Sequence, residues 1–408
     1  MASRWGMFFN FFVHNRVVSD AVGRVFAFLD SPQERRWVAM GAFVLFLILG
    51  AGWVSQARVL PGVSSSETGL PGPILDIEWD ASGTEALALV DLPEGPTLMA
   101  RDADGSWIEI ECECNATAIG GSTSDWVIGG EEGWFGVMLP GSTLVRMRSL
   151  NWSSAGADII SLDGDIDSGW LIAEHEGGNL AVHTWSGLEL SNGTAAPLSS
   201  IVLTEVEEVS GGALLIGHDL AGGNPAGGAT TEVLLDGAVT VGEAPHLDLL
   251  HLGAGQPFHT ILPAEDGPWG QVFVAIVGGG DATYGVEVDR SVTRIPGAPG
   301  SVAIALDEQG TLWFSGEAGI TTLGTGDSEA QEVILPDDMG EDVTSAYRAG
   351  ENIVLMSADG AERVTIDPNA QNSVLHSLSL LGDLVLVLIL IAFVGFGGYA
   401  LLRKHDVL

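Results

Sequence analysis

The densest chemistry-bearing spacing in the chain is the run DGDIDSGWLIAE, Asp163 to Glu174. Asp163, Asp165 and Asp167 occupy positions 1, 3 and 5 of a calcium loop, and Glu174 falls at position 12, where a bidentate carboxylate closes such a site. Hard oxygen donors at alternate positions are what a Ca2+ ion takes as ligands, so calcium is the cofactor this pattern implies. Position 6 is Ser168 where the loop needs Gly, and Gly169 comes one residue late. The same residues also read as the polar turn before a strand.

Other reactive side chains give less. The cysteines are Cys112 and Cys114, in ECECNAT. Two residues apart on a strand they point to one face, a poor geometry for a mutual disulfide, and two thiolates make an incomplete metal site. They read as two thiols on a strand. Among the histidines, His246, His251 and His259 in PHLDLLHLGAGQPFHT are the densest group, and they read as polar loop residues without an acidic or Cys partner at metal spacing. The sequence holds no G-x-S-x-G elbow, no H-E-x-x-H and no phosphate-cradling loop, and the glycines at 278–280 read as a turn, so no catalytic residue is assigned. Asn115, Asn151 and Asn192 head N-x-S/T sequons and are candidate glycosylation sites.

The elements that must position these residues are short, apolar and β-rich. Aligning the apolar runs at Leu87, Val127, Leu171, Leu214, Phe273, Trp313 and Val354 gives spacings of 40, 44, 43, 59, 40 and 41 residues. A period in the low forties, with Gly-rich turns and no helical periodicity, predicts an all-β fold of about seven four-stranded propeller blades over residues 74–367. A pair of β-sandwiches is the structural alternative. The long fourth interval reads as the insertion AGGNPAGGA together with a loop containing His246 to His259.

The clearest copy is DEQGTLWFSGEAGITTL, Asp307 to Leu323. Its pattern of Asp307, Gly310, Leu312, Trp313, Phe314 and Gly319 resembles the two-component-regulator propeller repeat, and WD-repeat and quinoprotein propellers share much of that grammar. The resemblance is good in one blade and degenerate in the rest, with the Trp position kept at Trp126, Trp170 and Trp313. It implies the fold and no particular activity.

Outside the repeats the chain reads as membrane attachment. Residues 37–55 contain WVAMGAFVLFLILGAGW and residues 384–402 are LVLVLILIAFVGFGGYALL, each an apolar run long enough to span a bilayer as a helix. Five Arg precede the first span, and Arg403 and Lys404 follow the second in the tail 403–408, so the positive-inside bias puts both termini in the cytoplasm. A cleaved signal peptide competes for the first span, but about 36 residues precede its apolar run. Residues 1–36 carry an amphipathic helical pattern, and 56–73 and 368–383 read as linkers.

Charge sets the class of partner. The chain has 54 Asp and Glu against 15 Lys and Arg, a net of −39, and between Gln56 and His376 there are 49 acids and 8 Arg, a net of −41. Such a surface repels nucleic acid and anionic lipid and favours cations or basic partners, and its lack of Lys fits a halophilic or marine proteome. The expectation is a binding or scaffolding ectodomain, anchored in the lipid bilayer and joined to another membrane or surface protein. The alternatives are a transmembrane sensor serving a cytoplasmic partner, and a propeller hydrolase or quinoprotein-like enzyme.

Overall fold

The computed structural model describes residues 62–370, apart from 81, 113, 122–124, 153–156, 221–230, 240–242, 254–255, 265–266, 334 and 336–342, together with residue 385. The two expected spans, the amphipathic segment and the cytoplasmic tail lie outside these residues. Among the described residues no helix is long and apolar enough to cross a membrane. By contacts the chain divides into 1–59 with 373–408, and Leu60–Asn372. The second unit is the propeller.

Seven four-stranded antiparallel sheets follow one another. After β1 (Val63–Glu67), blade 1 holds β2 (Ile74–Trp79), β3 (Ala86–Leu92), β4 (Gly95–Arg101) and β5 (Trp107–Glu109). Blade 2 holds β6 (Ala116–Gly121), β7 (Trp126–Gly130), β8 (Phe135–Met138) and β9 (Arg146–Arg148), and blade 3 holds β10 (Asp158–Gly164), β11 (Ser168–His175), β12 (Asn179–Ser186) and β13 (Glu189–Leu190). Blade 4 is β14 (Ile201–Val209), β15 (Gly212–Asp219), β16 (Thr231–Ala238) and β17 (His246–Leu252), and blade 5 is β18 (Phe258–Pro263), β19 (Phe273–Gly279), β20 (Thr283–Glu287) and β21 (Val292–Arg294). Blade 6 is β22 (Ala303–Leu306), β23 (Leu312–Gly316), β24 (Gly319–Leu323) and β25 (Gln331–Glu332); blade 7 adds β26 (Val343–Ala349), β27 (Asn352–Ser357) and β28 (Glu362–Ile366). The chain is a seven-bladed β-propeller.

All seven residues used to set the period lie on the second strand of their blades, β3, β7, β11, β15, β19, β23 and β27, and all are buried. That strand has neighbours on both edges and apolar faces on both sides, which is why it reads as a continuous apolar run. The core is correspondingly a ring of separate layers between consecutive blades: Leu87, Trp126 and Ile128 join blades 1 and 2, and Trp170, Leu203 and Leu215 join blades 3 and 4. Trp313 packs with Ile353 and Ile366 between blades 6 and 7.

Closure comes from the stretch read as a linker. β1 adds to the outer edge of blade 7, with Val63 opposite Ile366 and Glu67 opposite Glu362. The Asp367 amide then donates to the Gly62 carbonyl at 2.9 Å, so the chain enters and leaves the propeller side by side. Sequence reasoning passed over VSSSE because an outermost strand exposed along its length carries almost no apolar signal.

Three further expectations change. Cys112 and Cys114 are joined in a disulfide. They lie between β5 and β6 and not on a strand, so the extended spacing that would hold two same-face thiols apart does not apply. His246 and His251 lie on β17 and His259 on β18, so this region is strand and not loop. The expected insertion AGGNPAGGA does fall between β15 and β16, and the rest of the extra length of the fourth interval lies in the β18–β19 connection, which contains a helical turn at Gly267–Gly270.

Candidate functional site

The innermost strand of each blade lines the central channel of a propeller. In six of the seven blades this strand carries a register shift against its neighbour, at Ile74/Asp76, Ala116/Ala118, Ile159/Ser161, Leu203/Glu205, Phe258/Thr260 and Val343/Ser345. A bulge inverts the alternation beyond it. In β14, Ile201 and Leu203 pack in the layer with blade 3, and after the bulge that face is continued by Val206. Glu205 and Glu207 are thereby turned to the opposite face. In β2, Ile77 and Trp79 pack towards blade 7, leaving Asp76 and Glu78 on the other side.

Five carboxylates, Asp76, Glu78, Asp163, Glu205 and Glu207, are gathered in this way from blades 1, 3 and 4. Each keeps a little exposure on its strand, and each is enclosed by the surrounding blades. Burial pushes the Glu205 carboxyl up to about 8 and the Asp76 carboxyl up to about 6, and charge repulsion from neighbouring acids adds to both. Burial holds Glu78 and Glu207 well above the usual carboxylate range, again with the other channel acids contributing. Asp163 is raised by burial against the opposing effect of backbone amides, one of which is the Glu208 N–H at 2.7 Å.

Glu205 therefore favours its protonated form at neutral pH, where an isolated carboxylate would have released the proton. A cation entering among these groups would supply a compensating charge and favour their ionised forms. Asp163 also serves structure: with Ser161, which accepts the Val206 amide at 3.0 Å, it ties blade 3 to the inner strand of blade 4.

The four residues of the expected calcium loop are spread along a β-hairpin. Asp163 faces blade 4, while Asp165 accepts the Asp167 and Ser168 amides at 2.7 and 2.8 Å and so caps the β10–β11 turn. Asp167 is exposed beside it, and Glu174 lies at the far end of β11, opposite Asp158. Among the described residues no group of three or more His, Cys, Asp or Glu is arranged to hold a metal ion. His251 does have an acidic partner, the buried Glu232 at 3.1 Å, which sequence spacing could not reveal because the two stand on different strands.

The three sequon asparagines are all exposed. Asn115 and Asn151 donate to Glu131 and Glu189, each at 3.0 Å. Asp307, the head of the best repeat, is buried and fully occupied: it accepts the Gln309 and Thr311 amides at 2.9 and 2.8 Å and the Trp313 indole N–H at 3.0 Å. Its role is to fix a turn and a core tryptophan.

No family model matches the chain, and no curated protein matches it. Solved structures do. The extracellular domain of the putative hybrid two component system BT4673 from B. thetaiotaomicron is 11% identical with a TM-score of 0.51, the match covering 75% of this chain and 39% of that one. The putative one component system structure of the BT4673 extracellular domain gives 11% identity and 0.48 over 75% and 40%. A streptogramin B lyase structure gives 13% identity and 0.51 over 74% of this chain and 97% of that one. The chain thus spans about two-fifths of the BT4673 domain it matches. At these identities the likeness is one of fold, and it places the chain among β-propeller repeat proteins.

Proposed function

We propose that the protein is a membrane-anchored extracytoplasmic propeller that acts as a binding or scaffolding ectodomain, and that a cationic group of a membrane or surface partner is what it recognises. The observation that carries this reading is the convergence of Asp76, Glu78, Asp163, Glu205 and Glu207 in a propeller with so few basic residues. A guanidinium or ammonium entering there would meet carboxylates already desolvated, where a charge pair is worth more than at the surface. Anchoring at both ends is supported by the apolar runs at 37–55 and 384–402 and by the entry and exit of the chain on one blade.

The test is an affinity pull-down of the full chain from detergent-solubilised membranes. A membrane or surface protein should co-purify, and be lost with the triple variant Glu78→Gln, Glu205→Gln, Glu207→Gln. Equal recovery with the triple variant would remove the channel from the reading. Cysteine labelling in intact cells checks the topology: positions near Glu308 should react and positions near Arg403 should be protected.

A further inference from the structure

In blade 3, far apart in pairing register but on one face of the sheet, His175 of β11 and His183 of β12 turn their rings towards each other. Their Nε2 atoms are 3.2 Å apart. The register places Ala173 opposite Ala181 between them, so two small side chains leave the space the imidazoles fill. Trp152 stands edge-on to both rings, with centroids 6.4 and 5.4 Å away, and is itself fixed by its indole N–H donating to the Gly133 carbonyl at 3.0 Å.

The other nitrogen of His183 settles its tautomer. Nδ1 lies 3.0 Å from the Ser191 carbonyl, which can only accept, so Nδ1 carries the proton and Nε2 presents a lone pair to His175. A backbone carbonyl orienting the outer ring nitrogen is the arrangement found behind metal-binding histidines. Gly193 is part of the design: a Cβ there would lie 2.7 Å from His183 Cε1 and Nε2.

We propose that His175 and His183 form a two-histidine chelate for a borderline divalent transition metal of the Cu2+ or Zn2+ type. Two imidazole nitrogens at about 2.0–2.1 Å from one metal, with a near-tetrahedral angle between them, stand about 3.1–3.4 Å apart, and the observed 3.2 Å falls in that range. On binding, His175 changes tautomer, its Nε2 proton passing to solvent while Nδ1 takes one up, so that no net proton is released and the metal sits between two Nε2 lone pairs of neutral rings. No third His, Cys, Asp or Glu joins them among the described residues, so water completes the coordination. Half-buried His175 forms the open side of the site, and His183 forms its floor. The site is separate from the channel and does not depend on the proposed partner.

The full chain in detergent, at about 0.15 M salt, is titrated with Cu2+ and separately with Zn2+ against His175→Gln. Glutamine can still donate a hydrogen bond to His183 but is no imidazole ligand, so a merely structural pair would be preserved. One equivalent should bind to the natural protein and bind at least about tenfold more weakly to the variant, with the melting temperature unchanged within about 2 °C. A second reading uses the natural protein alone: one equivalent of metal should slow carbethoxylation of His175 by diethyl pyrocarbonate at least tenfold. Equal metal binding by the two proteins, or unprotected His175 at one equivalent of metal, would overturn the proposal.

Discussion

Asp307 and Glu205 are both carboxylates taken out of water on the same fold, and their surroundings differ in one respect. Both oxygens of Asp307 receive N–H donors from its own turn and from Trp313. Glu205 has one backbone amide, that of Ile261, and otherwise burial and other acids. The first carboxylate is an internal fastener whose charge is matched by local donors. The second is held against its preference by the blades around it, and that is a group left ready for a charge supplied from outside.

The largest effect should come from breaking the fastener. Asp307→Ala leaves two turn amides and the buried Trp313 indole without an acceptor, and should cost roughly 3 kcal/mol in denaturant unfolding. Asp307→Asn should recover part of that loss, since one amide oxygen can still accept.

The channel should respond in the opposite direction. A carboxyl whose folded value lies above its unfolded one binds more protons when folded, so stability falls as pH rises through the interval between the two. For Glu205 that interval runs from the ordinary glutamate range to about 8. The propeller should therefore be more stable at pH 5 than at pH 8. Glu205→Gln should stabilise it at pH 8 by roughly 1–3 kcal/mol, less than the full shift implies because the channel retains some solvent, and should flatten the slope. A steeper slope in the variant would contradict the assignment of these groups.

Asp80 sharpens the comparison from the side of the fastener. It accepts the Ser82, Thr84 and Glu85 amides at 3.0, 2.8 and 2.8 Å, but has no tryptophan to hold. Burial pushes its carboxyl up, and the hydrogen bonds from Ser82, Glu85 and Thr84 outweigh that and hold it below the usual range. Its stabilisation is present above the unfolded aspartate value and lost as pH falls below it. Asp80→Ala should cost about 1 kcal/mol at pH 7, and the cost should shrink as the pH falls from the ordinary aspartate range through the carboxyl's lower folded value. The smallest effect belongs to Asp104, an exposed turn acid that accepts the Ser106 amide and hydroxyl at 2.9 and 2.7 Å. Asp104→Ala should leave the denaturant midpoint of unfolding almost unchanged.

How far the sequence reached depends on the range of the interaction concerned. The blade period was legible because the middle strand of each blade is apolar on both faces, so Leu87, Trp313 and Val354 announce themselves whatever surrounds them. The Asp307 turn was legible because its donors lie within six residues. β1 was hidden by exposure, the Cys112–Cys114 disulfide by being off a strand, and the His175–His183 contact by lying along neighbouring strands at unequal register.

By itself, then, the sequence determined a seven-fold β repeat, a strongly acidic and cation-poor surface, and apolar runs at both ends, because periodicity, net charge and hydropathy are sums over local residues. Only the tertiary structure decided which acids matter. The bulges at Ile74/Asp76 and Leu203/Glu205 invert the strand alternation, and ring closure carries blades 1, 3 and 4 to one axis, so acids more than a hundred residues apart come to oppose one another. No local pattern encodes that meeting, since it depends on the closure of the whole ring.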